Sequence, residues 1–257
     1  MPLLSEDQKR LYREQGYLVV KRHVPYESLA AAREAALRVA QKCAEGNFPY
    51  CRADKRLSDR FIEKIDHIFH PEIFEKAIFD AVIESKILDY AKEAIGDDDV
   101  FVSFYRLHVT RGYSAWSNWH RDGEPDDRDF TIKATLPLFN ECGFHVVPGS
   151  HRRGDTSLAG TDSRIRGHLP GEACVPVEAG DILLFHPSIA HRAACAGRTK
   201  FQRAQIHFRV TASAFASEMP QVEDYWAKRP ELLAMADASW RDALSKDLKF
   251  HEFYKIT

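Results

Sequence analysis

The chain has 257 residues, 44% of them hydrophobic, and a formal net charge of −2. That length suits one large domain or two small ones, the apolar share is ordinary for a buried core, and the near-neutral charge leaves no footprint for nucleic acid or a membrane surface. No apolar run approaches the roughly 20 residues that span a bilayer, Met1 to Asp7 lacks the pattern of a secretory signal, and five scattered cysteines without a C-x-x-C pair exclude a disulfide framework or structural zinc and fit a reducing, cytoplasmic setting.

Ser5-x-x-Gln8 opens a first helix as a capping box, and Gly16 stops it. Tyr17–Val20 reads as a short strand. Leu29, Ala36, Val39, Ala40 and Cys43 mark one face of a helix over 27–45 that ends at Gly46. Two more helices are expected near 71–80 and 84–95, the second stopped by Gly96, and Asp97-Asp98-Asp99 is a solvated loop. From Val100 the chain becomes β-branched and aromatic, and strands are expected over 100–110, 130–139, 144–148, 173–177, 182–185 and 203–210. Residues 149–172 are rich in Gly, Arg and Ser and read as a long loop; helix returns around 225–228 and 232–248. Helices, then strands, then helix, without strand–helix alternation, predict a single α+β domain over 1–257. Its parts are a mainly helical flank over 1–99, a β-sandwich or barrel over 100–212 and a helical tail over 213–257.

The stretch Ser117-Asn118-Trp119-His120-Arg121-Asp122-Gly123 holds the strongest chemical signal. On an extended segment His120 and Asp122 point to the same side. An imidazole nitrogen and a carboxylate oxygen can then take adjacent corners of one metal. An H-x-D triplet is common by chance, so its surroundings decide. His145-Val146-Val147-Pro148-Gly149-Ser150-His151 follows, and then Gly180-Asp181-Ile182-Leu183-Leu184-Phe185-His186-Pro187-Ser188-Ile189-Ala190-His191. His191 is the candidate third ligand and His186 its competitor. Two His and one carboxylate on one face of a metal form the facial triad of non-heme Fe(II) oxygenases.

The order H-x-D, V-V-P-G-S-H, G-D-I-L-L-F-H-P-x-x-x-H and then a basic strand resembles the phytanoyl-CoA dioxygenase family, a branch of the Fe(II)/2-oxoglutarate-dependent oxygenases. The resemblance covers roughly residues 100–212, and Gly16 to Val20 is also similar. It implies a double-stranded β-helix, a jelly roll with helices packed outside, using Fe(II), 2-oxoglutarate and O2. By it His120, Asp122 and His191 are the iron ligands, and His151 belongs to a structural turn. The family's basic residue for the distal carboxylate of 2-oxoglutarate falls to Arg203. Alternation places Arg203 on one strand face with Gln205, His207 and Arg209. The family's Arg often stands where this chain has Gln202, so Arg203 requires a loop one residue longer; Arg198 is the alternative. Arg106, His108 and Thr110 share one face of the preceding strand, and Lys133 shares a face with Thr135. In the family a polar residue of that preceding strand contacts 2-oxoglutarate, so the resemblance implies His108, Thr135 and Arg106 there. Trp119, Arg121, Lys133 and Arg166 are expected at the substrate, with Trp116 as a pocket wall. Arg152, Arg153, Arg164 and Arg166 make the 151–172 loop a candidate lid that would favour an anionic substrate.

The activity implied by the resemblance converts 2-oxoglutarate to succinate and CO2 while oxidising an aliphatic C–H bond. The expected substrate is a small anionic or zwitterionic metabolite, such as an amino acid, a phosphonate or a natural-product intermediate. Asp122 stands where related halogenases carry a small residue, which points to hydroxylation, with desaturation or ring closure as variants. A jelly-roll metalloenzyme that does not use 2-oxoglutarate, or a non-catalytic binding protein, are the alternatives. The expected partner is a small molecule alone, bound by a monomer or homodimer.

Overall fold

The computed structural model describes residues 2–21, 24–45, 51–53, 61–112, 118–158, 167–193, 201–218, 234–243 and 246. Helix α1 (Glu6–Gln15) opens on the predicted capping box: the Gln8 N–H donates to Ser5 Oγ, and the Ser5 N–H donates to Gln8 Oε1. It closes at Gly16, whose φ of +79° turns the chain directly into strand β1 (Tyr17–Val20). Helix α2 (Tyr26–Glu45) buries Leu29, Ala32, Ala35, Ala36, Val39, Ala40 and Cys43. Helices α3 (Lys76–Ser85) and α4 (Ile87–Ile95) meet at Lys86, itself left-handed at φ +59°. The first of these two starts later than the sequence suggested. Residues 67–73 are spent on turns instead, closed by His70 N–H to His67 O and Ile73 N–H to His70 O.

The remaining strands are β2 (Cys51–Ala53), β3 (Phe61–Asp66), β4 (Val100–Gly112), β5 (Thr131–Pro137), β6 (Glu141–Val146), β7 (Ala173–Val177), β8 (Ile182–Phe185), β9 (His191–Ala193) and β10 (Phe201–Ala212). Seven form one antiparallel sheet in the order β1-β8-β5-β10-β4-β3-β2, and three form a second in the order β7-β6-β9. Strands β2, β3 and β9 were not expected; β2 and β3 extend the large sheet from within the segment read as helical. Among the described residues between β6 and β7, no helix or strand occurs. After a 3-10 turn over Ser213–Glu218, residues 238–243 are helical, and Trp240 packs its ring against Phe208 at 5.3 Å. The helix expected over 225–228 lies outside the described residues. Among those described, no helix is long and apolar enough to cross a membrane.

The two faces of the large sheet follow the period of two. One face presents Val102, Leu107, Val109, Ile132, Ala134, Leu136, Ile182, Leu184, Ala204, Ile206, Phe208 and Val210 to a core shared with α2, α3 and α4. The other face looks toward the small sheet and is not uniform. At β8, Leu183 and Phe185 join Phe144, Val146, Val175, Val177 and Ile189 in an apolar seam. At β5, β10 and β4 the inward positions are Lys133, Thr135, Arg203, Gln205, His207, Arg209, Arg106 and His108. This is the predicted α+β jelly-roll arrangement, two facing antiparallel sheets with helices outside. Burying so many polar groups is costly unless they are satisfied, so the polar half of the interior marks a site.

Candidate metal centre and its pocket

His120 and His191 face each other across an antiparallel bridge, each N–H donating to the other's carbonyl at 3.0 Å. The Asp122 N–H donates to Pro187 O at 2.8 Å and fixes the next turn of the same segment. These backbone bonds bring one ligand atom from each of His120, Asp122 and His191 within 4.8 Å of one another, and no other such group occurs among the described residues. The His191 Nε2 lies 3.4 Å from Asp122 Oδ2. Both rings have their Nδ1 against a backbone carbonyl: His120 on Asn118 O at 2.8 Å and His191 on Ile189 O at 2.9 Å. A carbonyl only accepts, so each Nδ1 carries the proton and each Nε2 presents a lone pair.

Burial, and then the neighbouring His191, push the His120 imidazole down to about 4, which keeps it neutral at physiological pH. Burial alone would raise the Asp122 carboxyl. The adjoining His191 ring and the Lys133 ammonium outweigh it and hold Asp122 well below the usual carboxylate range. Two imidazole lone pairs and an ionised carboxylate converging from one side are a fitting donor set for Fe(II). Phe185 and Phe144 pack against His191 at 5.1 and 5.9 Å between ring centroids and limit its movement.

The polar interior begins beside Asp122. Lys133 Nζ donates to Asp122 Oδ2, and burial lowers the Lys133 ammonium against the pull of that carboxylate. In register, Lys133 stands opposite Arg209, Thr135 opposite His207, His207 opposite Arg106, Gln205 opposite His108, and Arg203 opposite Thr110. Thr135 Oγ1 and His207 Nδ1 are 2.9 Å apart, and the His207 and His108 rings lie 4.3 Å apart. Burial pushes both imidazoles well below the ordinary histidine value, helped by Arg203 and Arg106. The Nε2 atoms of His108 and His207 are buried with no hydrogen-bond partner among the described residues. Arg106 is paired with Asp66. All four residues expected at the co-substrate, Arg203, His108, Thr135 and Arg106, therefore share one face of the large sheet with Lys133.

Two residues expected at the substrate point elsewhere. The period that sends His120 and Asp122 inward sends Trp119 and Arg121 to the opposite side. Trp119 is buried among Val147, Leu169 and Ala190, its indole N–H donating to Gly167 O at 2.9 Å and Arg192 stacked over its ring at 4.7 Å. The Arg121 guanidinium is tied to Ser188 O, Ser150 O, Ser157 Oγ and Asp155. Arg152 and Arg153 do not form a free lid edge: Arg152 binds Asp127 O and Arg13 O, and the Arg153 N–H binds Asp127 Oδ1. His186 uses one nitrogen on Arg128 O and the other on the Ser188 N–H, and His151 bonds Arg13 O. Arg166, Arg164, Trp116 and Arg198 lie outside the described residues. The inward placement of His207 and Arg209 was readable from alternation, but their importance was not, because it depends on which neighbours they lack.

The family model described as phytanoyl-CoA dioxygenase (PhyH) matches residues 12–204. No curated protein gives a match. Among solved structures, AviO1 from Streptomyces viridochromogenes Tue57 is similar at a TM-score of 0.65 and 17% identity, over 82% of this chain and 96% of that one. EctD from S. alaskensis, with 2-oxoglutarate and 5-hydroxyectoine, gives 0.64 and 19% over 82% and 77% of the two chains. SnoK, a non-heme alpha ketoglutarate dependent carbocyclase from nogalamycin biosynthesis, gives 0.61 and 22% over 88% and 91%. At these identities the likeness is one of fold.

Proposed function

The chain belongs to the phytanoyl-CoA dioxygenase family, and on that footing we propose that it is an Fe(II)- and 2-oxoglutarate-dependent dioxygenase that hydroxylates an aliphatic C–H bond of a small acidic or zwitterionic metabolite. The observation that carries this reading is the convergence of His120, Asp122 and His191, with both Nε2 lone pairs free to coordinate. When bound there, Fe(II) with 2-oxoglutarate and O2 supplies the oxidation, and succinate and CO2 leave.

The chain's own part is to bind, orient and exclude water. His120, Asp122 and His191 would hold the metal, each offering one ligand atom. Lys133 takes up the second demand of the Asp122 carboxylate and keeps it ionised and oriented. Arg203 anchors the distal carboxylate of 2-oxoglutarate, a charge-assisted bond that an Arg fork suits. His108 and His207, neutral and with unspent Nε2 atoms, complete the polar lining, and Thr135 fixes the His207 ring. Phe144 and Phe185 pack on each other and against His191 on the apolar side of the site. A metalloenzyme that dispensed with 2-oxoglutarate would leave this cationic wall without a use.

The test is anaerobic addition of Fe(II) and 2-oxoglutarate. A weak visible charge-transfer band is expected only when both are present. Its absence in the wild-type protein would overturn the reading. Succinate release across amino acids, phosphonates and natural-product intermediates then identifies the substrate class.

A further inference from the structure

Among the described inward-facing cations of this wall, Arg209 is the one with a buried N–H left without an acceptor. It lies near the end of β10, opposite Lys133 of β5, and its Nε is buried with no hydrogen-bond partner among the described residues. Its neighbours are already committed: Lys133 to Asp122 and Arg106 to Asp66. Asp122 is the acid whose charge reaches Arg209, while Arg106 repels it and burial depresses its basicity. A buried Nε without an acceptor costs free energy that the attraction to Asp122 does not remove, because it leaves the N–H unbonded. The missing acceptor is therefore something that binds.

Position says which ligand. Arg209 is level with the triad, because Lys133, its register partner, touches Asp122. Arg203 lies six residues back along the same strand face, about 20 Å at roughly 3.3 Å per residue. The two arginines are thus rooted at opposite ends of this sheet face. We infer that Arg209 docks an oxyanion of the prime substrate, a carboxylate or phosphonate, beside the metal centre, while Arg203 serves the co-substrate. This rests on the oxygenase reading and deepens it by giving the substrate an acidic head and a fixed contact. A fork of N–H donors meeting an oxyanion in a dry site gives both affinity and orientation.

The experiment titrates three small probes by calorimetry into the anaerobic protein saturated with Fe(II) and 2-oxoglutarate: butyrate, propylphosphonate and, as the uncharged control, butyramide. The two anions are expected to bind and the amide not. Arg209→Gln should weaken anion binding by about tenfold or more, the scale of a lost hydrogen bond to a charged group, and Arg209→Lys should retain part of it. The same Arg209→Gln protein should bind 2-oxoglutarate, read from the charge-transfer band, within about twofold of wild type, as expected for distant sites. Arg203→Gln should show the reverse pattern. Without ligand, Arg209→Gln should melt no lower than wild type, since it removes an unpaired buried charge. Anion binding that is absent in wild type or unchanged in Arg209→Gln overturns the inference. So does a matching loss of 2-oxoglutarate affinity, which would make Arg209 a co-substrate anchor, or a clear drop in melting temperature, which would make it structural. If the band never forms in wild type but the anion preference and its loss in Arg209→Gln persist, the oxygenase reading falls and the anion site stands.

Discussion

His120 and His191 show how little side-chain freedom the metal centre retains. Each ring is held by its own Nδ1 on a carbonyl two residues earlier, at Asn118 and Ile189, and the two backbones are hydrogen-bonded to each other. The candidate ligand atoms already converge without a metal, so little ordering would be left to be done on binding. His120→Ala should therefore lower Fe(II) affinity by more than about 100-fold, since losing only an outer partner of such a ligand already costs about 10–100-fold. Anaerobic equilibrium dialysis reads this directly, and near-wild-type retention of iron would remove His120 from the ligand set. The convergence of these three was legible in the sequence because the H-x-D spacing offers two donors on one side and the family resemblance singles out His191 over His186. Trp119 and Arg121 were misplaced for a reason the sequence also contained: they alternate with His120 and Asp122 and must face the other way.

At the scale of elements, Gly16 joins helix to sheet and supports the site from behind. It sits at φ +79°, and its carbonyl accepts from the His186 N–H at 2.8 Å. A Cβ built there would meet His151 Nδ1 at 2.4 Å, whereas one at Gly96, φ +81°, meets nothing within 4 Å. Both substitutions carry the left-handed penalty of about 1–2 kcal/mol. Only Gly16→Ala must also displace a buried ring, an overpacking cost of about 1–3 kcal/mol. Urea unfolding should place Gly16→Ala below Gly96→Ala by about that second amount, and equal losses would show that His151 yields without cost. The capping box and Gly16 were readable because caps are local chemistry. Strands β2 and β3 were not, since a short strand at a sheet edge is specified by its partner. Ile65 and Asp66 are in strand because β4 offers Leu107 and Arg106 opposite them. The three residues of β9 are likewise strand only through β6.

For the molecule as a whole, the formal charge of −2 conceals a segregation. Cations crowd the inward face, where Arg106, Lys133, Arg203 and Arg209 surround two buried histidines. That arrangement suits anions and taxes the ligand-free protein, and the tax should vary with pH. Burial first, and the adjacent cations second, hold His108 and His207 well below the ordinary histidine value; burial and His186 bring His151 to about 4. In the unfolded chain each would take up a proton near pH 6.5. Below that pH the unfolded state binds more protons than the native one, so stability must fall as pH falls. The loss begins near the unfolded value of about 6.5 and continues toward the folded values. One such histidine gives at most about 1.4 kcal/mol per pH unit, and three give a steeper slope. Urea unfolding of the metal-free protein between about pH 7 and 5 should show a slope above the one-histidine limit, and His207→Gln should make it shallower. Stability that stays flat or rises on acidification would mean that these imidazoles accept protons in the native pocket. Saturating 2-oxoglutarate should raise stability at every pH in that range, because a ligand bound only by the native state adds its binding free energy to folding.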